Sequence, residues 1–212
     1  MTTKIHKLVE VANDVDEDED DSTGLPPMSD ELDGLRAVAR LAKLAGNIGW
    51  FNAVGQPLEP SELADAEAYV AGLGFPDVGV AAVEDWQGAA AAAQAPDWRE
   101  DWWQAEEQMR QALLGEALAI NPEHDLMVAL SHVAAKAGEV AHGLAAVSAA
   151  RHGVADQALI RVAAGAASQA AYQAALVLAA DGDAEHPFAV KFRLFEAGRL
   201  PLGIVGSTFN IF

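Results

Sequence analysis

The chain has 212 residues, 51% of them hydrophobic, and its 32 acidic against 13 basic side chains give a formal net charge of −19. That length suits one sizeable core with a small appendage, and the absence of cysteine excludes disulfides, thiol catalysis and cysteine-ligated metal. So acidic a surface repels phosphate backbones and anionic lipid, so neither nucleic acid nor a membrane is expected as a partner, whereas a basic protein is. No basic stretch followed by an apolar run opens the chain, and a cytoplasmic location is expected.

Residues 1–27 are dominated by Asp14, Asp16, Glu17, Asp18, Glu19, Asp20 and Asp21, which repel one another and bury nothing. They are predicted to be a disordered acidic tail ahead of one all-helical domain spanning 28–212. A calcium loop does not fit, because Glu19 falls where the tight turn needs glycine and Leu25 where a bidentate glutamate should be. Ser29 or Asp30 can cap a helix through Leu35, Val38, Leu41, Ala42 and Ala45, on which Arg36, Arg40 and Lys43 read as a solvated stripe. The Gly- and Pro-rich connector that follows contains Trp50 and Phe51. Packing beneath the connector is expected of them, and contact with a ligand or partner is the alternative use. Ser61 can cap a short helix through Leu63, Ala66, Val70 and Leu73, and Asp77 is predicted to cap another from Val78 to about Gln94.

Three helices over 97–182 form the centre. The first is expected to open at Asp97, with Glu100 three places on, and to carry the stripe Trp98, Trp102, Ala105, Met109, Leu113 and Ile120. Asn121-Pro122 ends it and caps the second, which runs to His152-Gly153; the third runs to Asp181-Gly182. Alanine fills the second and third, so they can approach closely as an antiparallel hairpin, with Val133, Val140, Leu144, Val147, Leu159, Val162, Tyr172 and Leu176 adding apolar area. Residues 162–180 carry no charge, but alanine is too weakly hydrophobic to favour a membrane span over a buried core helix.

His186-Pro187 starts a last helix whose Phe188, Phe192 and Phe195 dock on the core, with Lys191, Arg193 and Glu196 on the other face. The apolar, β-prone ending 202–212 must be covered. Its own domain's groove is the expected cover, with a second chain in a homodimer as the alternative. The fold class is therefore all-α: a single helical bundle of six or seven helices, centred on an Ala-rich antiparallel hairpin, with a short β-prone C-terminal segment.

Chemistry is sparse. Glu139 and His142, three apart on one helical face, resemble the way ferritin-like diiron bundles present metal ligands. The resemblance covers four residues and implies iron, manganese or zinc, with Glu106 or Glu107 able to supply another helix's ligand. Separately, His132 shares a stripe with Glu139 seven residues on, which allows a mononuclear site of His132, Glu139 and His142. No second Glu-x-x-His occurs, however, and the third central helix lacks a carboxylate between Asp156 and Asp181. The plainer expectation is a polar helix face with a Lys136–Glu139 pair and no cofactor. Glu106 and Glu107 are adjacent, which points them about 100° apart on a helix and away from a shared proton. No nucleophile elbow, P-loop or zinc-protease pattern occurs. Trp86, Trp98 and Trp102 read as core, and Trp103 as an exposed contact. The expected function is a non-enzymatic cytoplasmic binding or assembly protein; the alternative is an oxidoreductase-type metal-binding bundle.

Overall fold

The computed structural model describes residues 33–212; the acidic segment 1–27 and the Ser29/Asp30 cap lie outside them. The described residues form seven helices and a three-stranded sheet. The helices are α1 (Asp33–Ala45), α2 (Pro60–Gly72), α3 (Trp86–Ala93), α4 (Glu100–Ile120), α5 (Glu123–Arg151), α6 (Gln157–Ala179) and α7 (Pro187–Glu196). The strands are β1 (Gly79–Ala82), β2 (Pro201–Val205) and β3 (Thr208–Ile211). The chain is an all-α helical domain with a short β segment.

Alanine sets the geometry of the centre. Ala137, Ala141, Ala145 and Ala149 of α5, with Ala163, Ala167, Ala170, Ala171 and Ala174 of α6, are buried, so two long helices meet with little side chain between them. The Ser168 hydroxyl donates to the Ala134 carbonyl across this seam at 2.8 Å. The expected larger contributors divide: Val133 and Leu176 are buried, while Val147 and Val162 are 47% and 62% exposed. In those two places the seam runs through the small residues, and the valines face outward. Gly153 turns the hairpin with φ 71, a conformation glycine adopts without steric cost. Helix α6 is long and apolar enough to cross a membrane by length and composition; here it is a core helix, buried along most of its length.

Glu59 rather than Ser61 is the N-cap of α2, its N–H donating to Glu62 Oε2 at 2.8 Å, and three further local expectations change. Gly79–Ala82 is a strand, and Asp85 rather than Asp77 caps a helix, accepting from Gly88 N–H at 2.7 Å; that helix spans only Trp86–Ala93. The valines at 78, 80 and 83 had the strand-forming character, but the partner β3 lies well over a hundred residues on. Helix α4 opens at Glu100 because, after a turn at Asp97, Trp98 and Arg99 run along β2: Arg99 N–H donates to Ile204 O, and Gly206 N–H to Asp97 O. Asn121 ends α4 rather than capping α5; its amide donates to Ala117 O and Ala179 O.

The sheet order is β1-β3-β2, with β1–β3 parallel and β2–β3 an antiparallel hairpin. Gly206 (φ 57) stands first in its two-residue turn, the position where a type II′ turn needs positive φ. The apolar C-terminal segment is thus covered within its own chain, with Phe209, Ile211 and Phe212 buried. Two cores result. The larger lies among α1, α5, α6 and the phenylalanine face of α7; the smaller joins α2, Trp102, β3 and Val190 and Leu194 of α7. Helix α7 separates them and is apolar on both sides, which is why Lys191, expected on an exposed face, is 5% exposed.

Candidate functional site

Between the two cores, four helices bring polar side chains to one point. Tyr69 (α2), Glu106 (α4), Gln173 (α6) and Lys191 (α7) are each 5% exposed or less. The Lys191 ammonium donates to Glu106 Oε1 at 2.5 Å and to Gln173 Oε1 at 3.2 Å, and the Tyr69 hydroxyl donates to the same Glu106 oxygen at 2.6 Å. Burial pushes the Tyr69 phenol well above its ordinary pKa, and the adjacent Glu106 charge adds to the effect, so Tyr69 remains a neutral donor. The Trp102 indole N–H, buried without a hydrogen-bond partner of good geometry, pulls weakly the other way. Because the ammonium fixes the oxygen end of the Gln173 amide, its nitrogen is left with no partner among the described residues. A buried charge stays in an interior only when paired and hydrogen-bonded, and this arrangement meets that condition for both ions.

Sequence reasoning missed this cluster. Glu106 stands four residues after Trp102 and seven before Leu113, so it belongs to the buried stripe of α4 rather than to the polar side. A charged residue in a core-facing register was the available signal. Lys191, next to Phe192 and three after Phe188, carried the same signal.

A second buried ion has a mechanical role. Arg199, 2% exposed, donates to Glu62 Oε2 and to the carbonyls of Ala53, Gln56 and Pro57. Its planar fork gathers three carbonyls of the connector between α1 and α2 and ties them to the end of α7.

The residues singled out from sequence are dispersed. Trp50 and Phe51 are each 1% exposed in the larger core; Trp50 donates its indole N–H to Ala45 O and sits edge-on to Phe192 and Phe195. Phe51 has φ 61, an uncommon and strained backbone for a bulky residue, held by the packing around it. Trp103 is 47% exposed. Glu107 is engaged by Arg110 through two hydrogen bonds and by Gln111 through one, and Arg110 foremost holds its carboxyl down to about 2. His132, Glu139 and His142 lie on the exposed side of α5, with Glu139 paired to Lys136 at 3.2 Å. Among the described residues no three His, Asp or Glu side chains converge as a metal would require. What the geometry defines is a helical bundle with a small C-terminal sheet and a closed polar centre. Comparison with protein-family models, with curated proteins and with solved structures found no match.

Proposed function

We propose that this protein is a non-enzymatic binding or assembly module that engages a basic protein partner through its acidic surface. The supporting observation is how the charges are spent. Arg99, Arg110, Lys136, Lys191, Arg193 and Arg199 are each engaged in ion pairs within the chain. Glu67, Asp77, Glu84, Glu116, Glu123 and Asp125 are exposed and form no ion pair among the described residues. Lys43, Arg151 and Arg161 are exposed without an ion pair among the described residues as well, but with 32 acidic against 13 basic side chains the balance is negative, which speeds encounter with a cationic partner and disfavours an anionic one. The Glu106–Lys191 cluster is read as structural because its charges are already paired and hydrogen-bonded to one another and to Tyr69 and Gln173.

Quantitative affinity capture tests the reading with wild-type protein and a variant carrying Glu67→Lys, Glu84→Lys, Glu116→Lys and Glu123→Lys. The expected result is a partner of basic isoelectric point that is lost both at high salt and with the variant. Capture that ignores salt and is equal with the variant would refute it. Metal content offers an independent check on protein purified without a polyhistidine tag. Stoichiometric iron, manganese or zinc that disappears in Glu139→Ala and in His142→Ala would replace this reading with a metal-binding one.

A further inference from the structure

The two outer strands of the sheet are finished differently. Residues 97–99 close the outer side of β2, through Arg99 N–H to Ile204 O and a bridge between Trp98 and Val205. Among the described residues, strand β1 has no such cover. Gly79 N–H donates to Ser207 O at 3.0 Å and Val83 N–H to Ile211 O at 2.7 Å. The alternation of a parallel ladder then turns the N–H and C=O groups of Val80 and Ala82 away from β3. Among the described residues nothing hydrogen-bonds to them. Gly79 and Ala82 are exposed, and Val80 and Ala81 are half-buried. Such an edge is a template for one more strand.

The flanking residues decide which strand. Asp77 and Glu84 lie exposed at its two ends. Antiparallel pairing of two copies that sets outward-facing Val80 of one opposite outward-facing Ala82 of the other would put Asp77 against Asp85, also exposed, and parallel pairing would leave the two Asp77 side chains one residue apart along the ladder. Both place like charges together at close range, which is destabilising, whereas cationic side chains on an incoming strand convert each repulsion to attraction. We propose that the free edge of β1 accepts one extended segment of a basic partner protein. Its backbone pairs with Val80 and Ala82, and its lysine or arginine side chains lie against Asp77 and Glu84. This rests on the basic-partner reading above and adds the place and the main-chain mode of recognition.

The test is amide-resolved NMR of the full chain, titrated with a synthetic peptide of alternating valine and threonine flanked by lysines. The comparison peptides are a glutamate-flanked one and a lysine-flanked one N-methylated at alternate residues. With the lysine-flanked peptide, the Val80 and Ala82 amides shift and their hydrogen exchange slows at least about tenfold, as pairing requires. Ala82→Pro removes one outward donor where an edge strand tolerates proline, and weakens binding about tenfold. N-methylation does the same from the ligand side, so the result does not depend on how that variant folds. Asp77→Lys with Glu84→Lys reverses the preference to the glutamate-flanked peptide. Binding whose shifts fall elsewhere on the acidic surface overturns the edge assignment while leaving the basic-partner reading standing. Failure of the lysine-flanked peptide to bind overturns it as well. So does a dimer in sedimentation whose Val80 and Ala82 amides are already protected, because a second copy would then hold the edge.

Discussion

At the scale of single residues, two side chains carry sharp expectations. His186 caps α7 by accepting from Phe188 N–H at its Nδ1, 3.1 Å away, which requires that nitrogen to be unprotonated. Burial lowers its pKa, against an opposing pull from Asp183 and Glu116. The folded chain thus binds this proton less readily than the unfolded chain, whose histidine titrates near the ordinary value of about 6.5. The stability involved is fully present above that value and is lost as pH falls through the lower folded value. His186→Asn keeps a capping oxygen without the titration, so its melting temperature should fall less than that of wild type from about pH 7 to 5. Parallel curves for the two proteins would refute this. The second residue is Lys191. Lys191→Met leaves the Glu106 carboxylate buried and unpaired and should cost about 3–5 kcal/mol in denaturant unfolding, whereas adding Glu106→Leu should restore part of the loss. A double variant no more stable than the single one would show that the pair contributes more than its own neutralisation.

At the scale of elements, the α5–α6 seam predicts a contrast between small and large positions. Ala141 and Ala167 are fully buried in the seam, so Ala141→Leu overpacks it and should cost about 1–3 kcal/mol or more. Val162→Ala removes more apolar atoms in name, but from an exposed side chain, and should stay within about 0.5 kcal/mol. Equal losses at the two sites would mean that the valine face is covered in solution. The connector between α1 and α2 makes a second element-scale case. A Cβ at Gly198, where φ is 85, would come within 1.8 Å of Asn52 Oδ1 and 2.9 Å of Ala53 N. Gly198→Ala should therefore loosen the loop that Arg199 gathers. Faster proteolysis within residues 46–59 would report it, and an unchanged rate would count against the role assigned to Arg199.

At the scale of the whole molecule, β3 is the middle strand, and both other strands pair only with it inside the sheet. Removing residues 208–212 takes away Phe209, Ile211 and Phe212 and leaves β1 without its partner strand and β2 with only the 97–99 segment, and each large apolar side chain is worth roughly 1.5–3 kcal/mol when buried. The truncated chain should lose cooperative unfolding altogether. A monomer with a sharp transition near the original temperature would contradict the placement of this segment in the smaller core. The net charge also acts globally, because self-repulsion at −19 opposes compaction. Moderate sodium chloride should raise the melting temperature by screening it; a fall with salt would mean that the internal ion pairs outweigh the repulsion.

Much of this architecture was legible in the sequence. The helix periodicities, the alanine-rich hairpin turned at Gly153, the proline-started α7 with its three phenylalanines and the need to cover the C-terminal segment all follow from local spacing and composition. Those are properties of neighbours three or four residues apart, which one-dimensional reading captures. Three things were decided only by tertiary structure. The strand at Gly79–Ala82 exists because β3 pairs with it, and the extended backbone before Glu100 exists because β2 does; neither pairing leaves a local mark. The polar centre of Tyr69, Glu106, Gln173 and Lys191 is scattered over four helices, so only their packing reveals that two charges offset each other. Which helix face is buried at the seam depended on how closely two backbones approach, a distance that alanine permits and only the fold sets.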